Sequence, residues 1–219
     1  MSVDAFILFI CVAAPMTMMI FAVKDKTMGI FLVLGTLVCL YCAYVNGFLL
    51  ENMALTKLDF TCTITPIVEE VFKALPVFIF AFAFRAERER VIAASFAVGV
   101  GFAILENVII IAENAKSITV IWAIARGFGA GLLHSVTVMA IGMVICILRD
   151  NKKLRILGCF AIQIAAITFH AIYNMYIQSG TYFYIGLVLP VCAYIPIIIY
   201  LVRRRKISKN QDKPAENAE

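Results

Sequence analysis

Charge is what this sequence has least of. Asp, Glu, Lys and Arg make up 15% of its 219 residues, where a water-soluble domain carries about 25%. A soluble globular domain and a water-soluble nucleic-acid-binding protein are both excluded on that ground. Histidine is scarcer still: His134 and His170 are the only two. No HExxH pairing occurs, so the helical zinc signature of many metalloproteases is missing. Seven cysteines, an odd number, give no disulfide framework. Most lie inside apolar runs, and Cys39-x-x-Cys42 falls mid-run without polar neighbours. It reads as two small buried hydrophobes rather than a redox or metal motif. No basic residue precedes the first apolar stretch, MSVDAFILFICVAAPMTMMIFAV. A cleaved signal peptide normally carries one, and the expectation is a retained first span with its N-terminus outside. Repeats and low-complexity blocks are also missing.

What remains is apolar length. The chain is 63% hydrophobic with a mean hydropathy of +0.96, and apolar runs near or above the ~20 residues that cross a bilayer as helix recur throughout. The expected fold is all-α: a polytopic membrane helix bundle of about seven transmembrane helices, at roughly 3–23, 28–50, 66–84, 91–112, 118–148, 154–178 and 182–202. Residues 1–202 form one membrane-embedded domain, and 203–219 a basic, disordered cytoplasmic tail. Lys24 and Lys26, then Arg85, Arg88 and Arg90, then Arg149, Lys152, Lys153 and Arg155, then Arg203, Arg204 and Arg205 fall in alternate connections. The other connections hold only Lys57 and Lys116. Because positive residues mark the cytoplasm, this alternation puts the N-terminus outside and the C-terminus inside.

Against that background a few polar residues stand out within the spans: Glu69, Glu70, Lys73, Glu106, His134 and His170, with Asn107, Arg126 and Asn174 beside them. A charge at the centre of a span costs about 3 kcal/mol on insertion scales, and four or five together roughly 10 kcal/mol unless paired or hydrated. The predicted orientation puts them all in the outer half of the membrane, implying one polar cavity that opens outward. Lys73 lies four residues from Glu69 and three from Glu70, so on a helix it reaches either. One carboxylate is then neutralised while the other stays available. His170 and Asn174, at i and i+4, share a face. Gly99, Gly101 and the Gly127-x-x-x-Gly131 spacing permit close helix approach. Arg126 reads either as part of the polar set or as an interfacial anchor.

Carboxylates and imidazoles around a wet cavity suit water activation: a glutamate takes the proton of a water that attacks a carbonyl. Imidazole and amide groups then donate to the developing oxyanion. Ser135 follows His134 directly and points about 100° away from it on a helix, so no serine–base pair is formed and direct water attack is preferred. The expectation is catalysis without a cofactor. Glu69, Glu106, His134 and His170 would be the ligands if a metal were used.

Four motifs in order carry a family resemblance: EExxK at Glu69, Glu70 and Lys73; GFAILEN at 101–107; Arg126 eight residues before His134; and HAIYN at 170–174. Together they resemble the PrsW family, bacterial membrane proteases that make the first cut in an anti-sigma factor. The likeness runs from about 65 to 175, roughly half the chain. That family is distantly related to type II CAAX prenyl endopeptidases, which use EExxxR, FxxxH and HxxxN. The resemblance implies that Glu69 is the general base, with Glu70 beside it. Phe102-x-x-x-Glu106 occupies the FxxxH place, with a glutamate where the relatives have histidine. His170 and Asn174 match the oxyanion donors, although Asp can stand at the last position in PrsW members. It further implies a multi-pass protein of the bacterial cell membrane that cuts a membrane-anchored regulatory protein on its outer side, in stress-response signalling. Two other classes compete. An ion- or proton-coupled transporter also uses Glu and His clusters, but an inverted repeat is missing and the set does not cross the bilayer. A non-catalytic scaffold would keep the polar set for helix packing.

Overall fold

The computed structural model describes residues 9, 11–13, 15–17, 27–114 and 119–211. Among them all regular structure is helical, as expected. Helix α1 spans Met28–Asn52 and α2 spans Lys57–Phe78, the latter continuing into a π-helical turn at Ile79–Ala83. Then follow α3 (Arg88–Asn114), α4 (Val120–Ile147), α5 (Lys152–Gln178) and α6 (Phe183–Gln211). Residues 9, 11–13 and 15–17 are helical too; the rest of the expected first span lies outside the described residues. So does the end of the tail beyond 211, while 203–211 continue α6 as helix.

Among the described residues four helices are long and apolar enough to cross a membrane: Met28–Asn52, Arg88–Glu113, Arg126–Ile147 and Lys152–Gln178. Helix α2 has the length but carries Glu69, Glu70 and Lys73 in its interior, and the apolar part of α6 is the shorter stretch Phe183–Pro196. The protein is therefore a multi-pass membrane bundle.

Helix α2 departs from the sequence expectation in a way that matters. The expected span runs from about 66 to 84, which would put the glutamates in its first turns. The helix starts at Lys57 instead. Thr56 accepts from the Asp59 backbone N–H at 3.1 Å, and its hydroxyl donates to Asp59 Oδ2 at 2.7 Å. That reciprocal cap begins the helix ahead of the polar KLDFTCT turns. Glu69 and Glu70 thus sit near the middle of α2, and His134 near the middle of α4. Glu106 and His170 lie past the midpoints of α3 and α5. The polar residues thus lie well inside the helices rather than at their ends.

Helices α3 and α4 form the centre. Their most apolar windows are 67% and 78% buried, against 28% for α1 and 17% for α5. The outer helices turn apolar faces outward, as with Ile30, Leu37, Tyr44 and Phe48 on α1, which is what a lipid-facing surface requires. Close approach at the centre depends on missing side chains. A Cβ on Gly101 would strike the Leu32 carbonyl of α1; one on Gly35 would strike the Val98 carbonyl of α3. A Cβ on Gly99 would meet the backbone of α4 at His134 and Ser135. Gly99 and Gly101 thus have the packing role expected of them, and Gly127 and Gly131 are buried.

The two basic connections meet at one end of the bundle. Arg149 donates to the carbonyls of Ala86 (3.3 Å) and Arg85 (3.5 Å), and Arg88 pairs with Asp150 at 3.1 Å. The α2–α3 and α4–α5 connections therefore share a face, as the charge alternation requires.

The glycine contacts generate a stability prediction. Gly101→Ala has backbone in its way and should destabilise by about 1–3 kcal/mol, the usual range for overpacking. Gly47→Ala meets nothing within 4 Å and should be neutral or stabilising by up to about 1 kcal/mol from helix propensity. Thermal unfolding of both variants in detergent makes the comparison.

Candidate active site

The polar residues of four helices converge on one buried chain of contacts. At one end, Arg126 Nη2 of α4 lies 2.7 Å from Glu106 Oε1 of α3. Glu106 Oε2 is 2.8 Å from His134 Nε2. The other ring nitrogen, Nδ1, is 2.7 Å from Lys73 Nζ of α2, and Lys73 Nζ is 2.6 Å from Glu70 Oε1. Glu70 Oε1 in turn is 2.8 Å from His170 Nδ1 of α5. Glu70 and Lys73 are wholly buried, and His134, His170 and Glu69 nearly so. Arg126 is thus an internal ion-pair partner rather than an interfacial anchor. Of the two carboxylates within reach of Lys73, Glu70 takes it.

Hydrogen-bond chemistry orients both imidazoles. An ammonium only donates, so Lys73 donates to His134 Nδ1; the proton of that ring is on Nε2, donated to Glu106. At His170 the Glu70 carboxylate accepts, so Nδ1 carries the proton and Nε2 is left with a lone pair. That lone pair faces Glu69 Oε2 at 3.9 Å, and Oε2 has no hydrogen-bond partner. Two acceptor atoms thus lie 3.9 Å apart with no donor of the protein between them, an arrangement that a shared donor or a cation would satisfy. Charge bookkeeping points the same way. With both imidazoles neutral, the carboxylates of Glu69, Glu70 and Glu106 outnumber the cations of Lys73 and Arg126 by one, and the surplus falls at Glu69.

Phe102 holds the middle of the chain. Its ring centroid lies 4.6 Å from Lys73 Nζ and 4.9 Å from the His134 ring. The His134 and His170 rings meet edge to face at 5.2 Å. Cys39 and Cys42 pack with Val68 and Phe102 behind the site, as the small buried hydrophobes expected. Ser135 donates its hydroxyl to the Gly131 carbonyl, 2.6 Å away on its own helix.

Two of the expected residues are engaged elsewhere. Asn107 turns away from the cluster; its Nδ2 donates to the Cys11 carbonyl at 3.0 Å and ties α3 to the first helical stretch. Asn174 donates from Nδ2 to the Thr61 carbonyl at 3.0 Å, pinning α5 to α2 and leaving its second N–H. The sequence reading missed Tyr173, which is 1% exposed and lies beside Arg126. Its signal was available: Tyr173 is three residues after His170, on the same helical face.

The donor set also fits a metal. One ligand atom each from Glu69, His134 and His170 lie within 4.8 Å of one another, and two imidazoles with a carboxylate form a common catalytic zinc set. Glu70 on His170 Nδ1 is the outer carboxylate such a ligand usually has. His134 would first have to release Lys73 or Glu106. Glu106, expected as a fourth ligand, is not in this group and is held by Arg126 instead.

The chain matches the family model described as "PrsW family intramembrane metalloprotease" over residues 5–201. No curated protein and no solved structure matches it. The family match extends well beyond the motif region, from the first apolar stretch to the end of the apolar part of α6, and most of the ionisable motif residues within it form one buried chain of contacts; this chain belongs to the PrsW family of intramembrane proteases.

Proposed function

We propose that this protein is a membrane-embedded endopeptidase that makes the first, outer-side cut in a membrane-anchored regulatory protein, such as an anti-sigma factor, by glutamate-activated water attack. The observation that carries the reading is the pair of facing acceptors, Glu69 Oε2 and His170 Nε2, 3.9 Å apart in a buried site. A water between them donates one proton to each. Glu69 removes a proton as the water oxygen attacks the scissile carbonyl carbon. The free N–H of Asn174, on the same face of α5 as His170, is the donor for the oxyanion. Collapse breaks the C–N bond, and Glu69 returns its proton to the leaving amine. Lys73 keeps Glu70 anionic, and Glu70 holds the His170 tautomer that leaves Nε2 unprotonated.

The cluster of Glu69, His134 and His170 favours a second reading, in which these three hold a divalent metal. When bound, such an ion would lower the pKa of a water and polarise the scissile carbonyl. The His134 contacts to Lys73 and Glu106 favour the first reading, because both ring nitrogens are already committed.

For orientation we propose seven spans, with the N-terminus outside and the C-terminus in the cytoplasm, from the alternation of basic connections. Helices α3 and α5 then run outward, which puts Glu106 and His170 nearer the outer face. The scissile peptide has to be extended, because a helix encloses its own carbonyls in hydrogen bonds. A juxtamembrane stretch just outside the substrate's span meets that need.

Three expected outcomes follow. Glu69→Gln inserts normally and loses cleavage of the membrane substrate by at least about 100-fold, in the range for a lost general base; near-normal turnover rejects Glu69 as the base. Activity survives strong chelation without stoichiometric metal in the pure protein. A metal content near one per chain, measured by mass spectrometry, with reversible loss of activity on its removal, selects the second reading. The substrate's membrane-held stub begins within a few residues of the outer face, as read by mass spectrometry of its new terminus. A terminus on the cytoplasmic side overturns the orientation.

A further inference from the structure

The end of the bundle where the α2–α3 and α4–α5 connections meet carries an excess of positive charge. Residues 85–90 (RAERER) and 149–155 (RDNKKLR) together hold seven basic residues against three acidic ones, an excess of four. Of the acids, Asp150 pairs with Arg88 at 3.1 Å, and Glu87 and Glu89 are exposed. Arg149 donates to the main-chain carbonyls of Ala86 and Arg85. Arg85 adopts a φ of 49°, the left-handed region that few non-glycine residues occupy, and its side chain is exposed. Lys152 and Lys153 are exposed at the start of α5, and no acidic residue accompanies them in its first turn.

One of these cations is held in place. Arg155 Nη1 donates to the Arg149 carbonyl at 3.0 Å, and the guanidinium lies 5.0 Å from the centroid of the Phe82 ring. Phe82 belongs to the π-helical turn at the end of α2, Ile79–Ala83, so this contact joins the end of α2 to the start of α5. Next to the cations the surface turns apolar. Lys153, Ile156, Leu157 and Phe160 stand at i, i+3, i+4 and i+7 of α5, on one face. Ile156, Leu157 and Phe160 are all strongly exposed, as are Phe82 and Phe84. From Lys153 to Phe160 this apolar track runs about 10 Å along the helix axis. A cationic rim is thus continuous with an exposed hydrocarbon surface.

We propose that this rim binds the headgroup of an anionic phospholipid. Its phosphate lies against Lys152, Lys153 and Arg155, and one acyl chain follows Ile156 and Phe160. Clustered basic side chains at the end of membrane helices suit such headgroups, and charge-assisted hydrogen bonds to phosphate are among the stronger ones. A zwitterionic headgroup brings its own cation to a rim that already has an excess of them. A soluble phosphate brings no chain for the apolar track. Helix α5 also has the least buried apolar window of the four long apolar helices among the described residues, 17%. A lipid that bridges the ends of α2 and α5 adds a contact where protein packing is thinnest. The same two helices hold Glu69 and His170 3.9 Å apart, but the inference concerns the surface and does not depend on the hydrolase reading.

The test is native mass spectrometry of the full-length protein in detergent, titrated with phosphatidylglycerol. Phosphatidylcholine with the same acyl chains and inorganic phosphate are the comparisons. Saturable retention of phosphatidylglycerol is expected, at least about tenfold tighter than that of phosphatidylcholine and unaffected by inorganic phosphate at the same concentration. The double variant Lys152→Gln/Lys153→Gln changes two exposed side chains and should weaken retention at least about tenfold. Arg204→Gln/Arg205→Gln removes the same charge from the basic tail and should leave retention within about twofold of the unaltered protein. Thermal unfolding gives a second readout. Phosphatidylglycerol should raise the midpoint of the unaltered protein and of the tail variant, but not that of the lysine variant, and equal midpoints without lipid check that the fold is kept. Equal retention of the two lipids, undiminished retention in the lysine variant, or displacement by inorganic phosphate overturns the proposal. Equal losses in the two double variants also overturn it, by reducing the binding to diffuse attraction between net charges.

Discussion

A charge inside an apolar bundle has to be answered by another group, and in this protein the answers come from different helices. Lys73 is the pivot. Its ammonium touches a carboxylate on its own helix and an imidazole on α4, and lies over the Phe102 ring of α3. Removing one partner from such a set leaves an unpaired buried charge, which costs about 3–5 kcal/mol. The network therefore fixes the mutual position of α2, α3, α4 and α5 as firmly as the apolar packing does. The glycines serve the same end. Without a Cβ at Gly99, α3 comes close enough to the His134 turn of α4 for a glutamate on one to reach an imidazole on the other.

The two adjacent glutamates have opposite environments. Glu70 Oε1 is the acceptor for both a lysine and a histidine, and its charge is accounted for within the protein. Each glutamate has one buried oxygen without a hydrogen-bond partner, Oε2 in both cases. The difference is the cation: Glu70 has Lys73 at 2.6 Å, whereas Glu69, one residue away and turned by a helical step, has only the His170 ring at 3.9 Å.

Much of this was legible in the sequence, because membrane burial makes polar residues conspicuous. The family motifs, the helical class and the convergence of Glu69, Glu70, Lys73, Glu106, His134 and His170 all follow from polar residues standing out in apolar runs. The start of α2 was misread for the opposite reason. The first turns of α2 are polar, so hydropathy alone put its start near residue 66, and the Thr56–Asp59 cap that begins it is a local signal of another kind. Pairings were open for a third reason. Helical spacing gives neighbours on one helix but not across helices, so the Arg126–Glu106 pair and the Asn107 contact to Cys11 needed tertiary structure. Tyr173 escaped notice because an aromatic in an apolar run looks like core, and only its place beside Arg126 marks it out.

The order of the chain has a consequence for how the protein is made. Glu70 and Lys73 lie three residues apart, so α2 can neutralise one of its carboxylates as soon as it is synthesised. The histidine facing Glu69 belongs to α5, a hundred residues later in the Glu70–His170 contact. Even that helix brings Glu69 Oε2 no hydrogen-bond donor, so what the later helices supply is shelter from lipid rather than neutralisation. An isolated α2 with both carboxylates charged would meet an insertion cost of about 3 kcal/mol for Glu69 alone. The Glu70–Lys73 pair is made within one helix, and the surroundings of Glu69 have to be assembled from the rest of the chain.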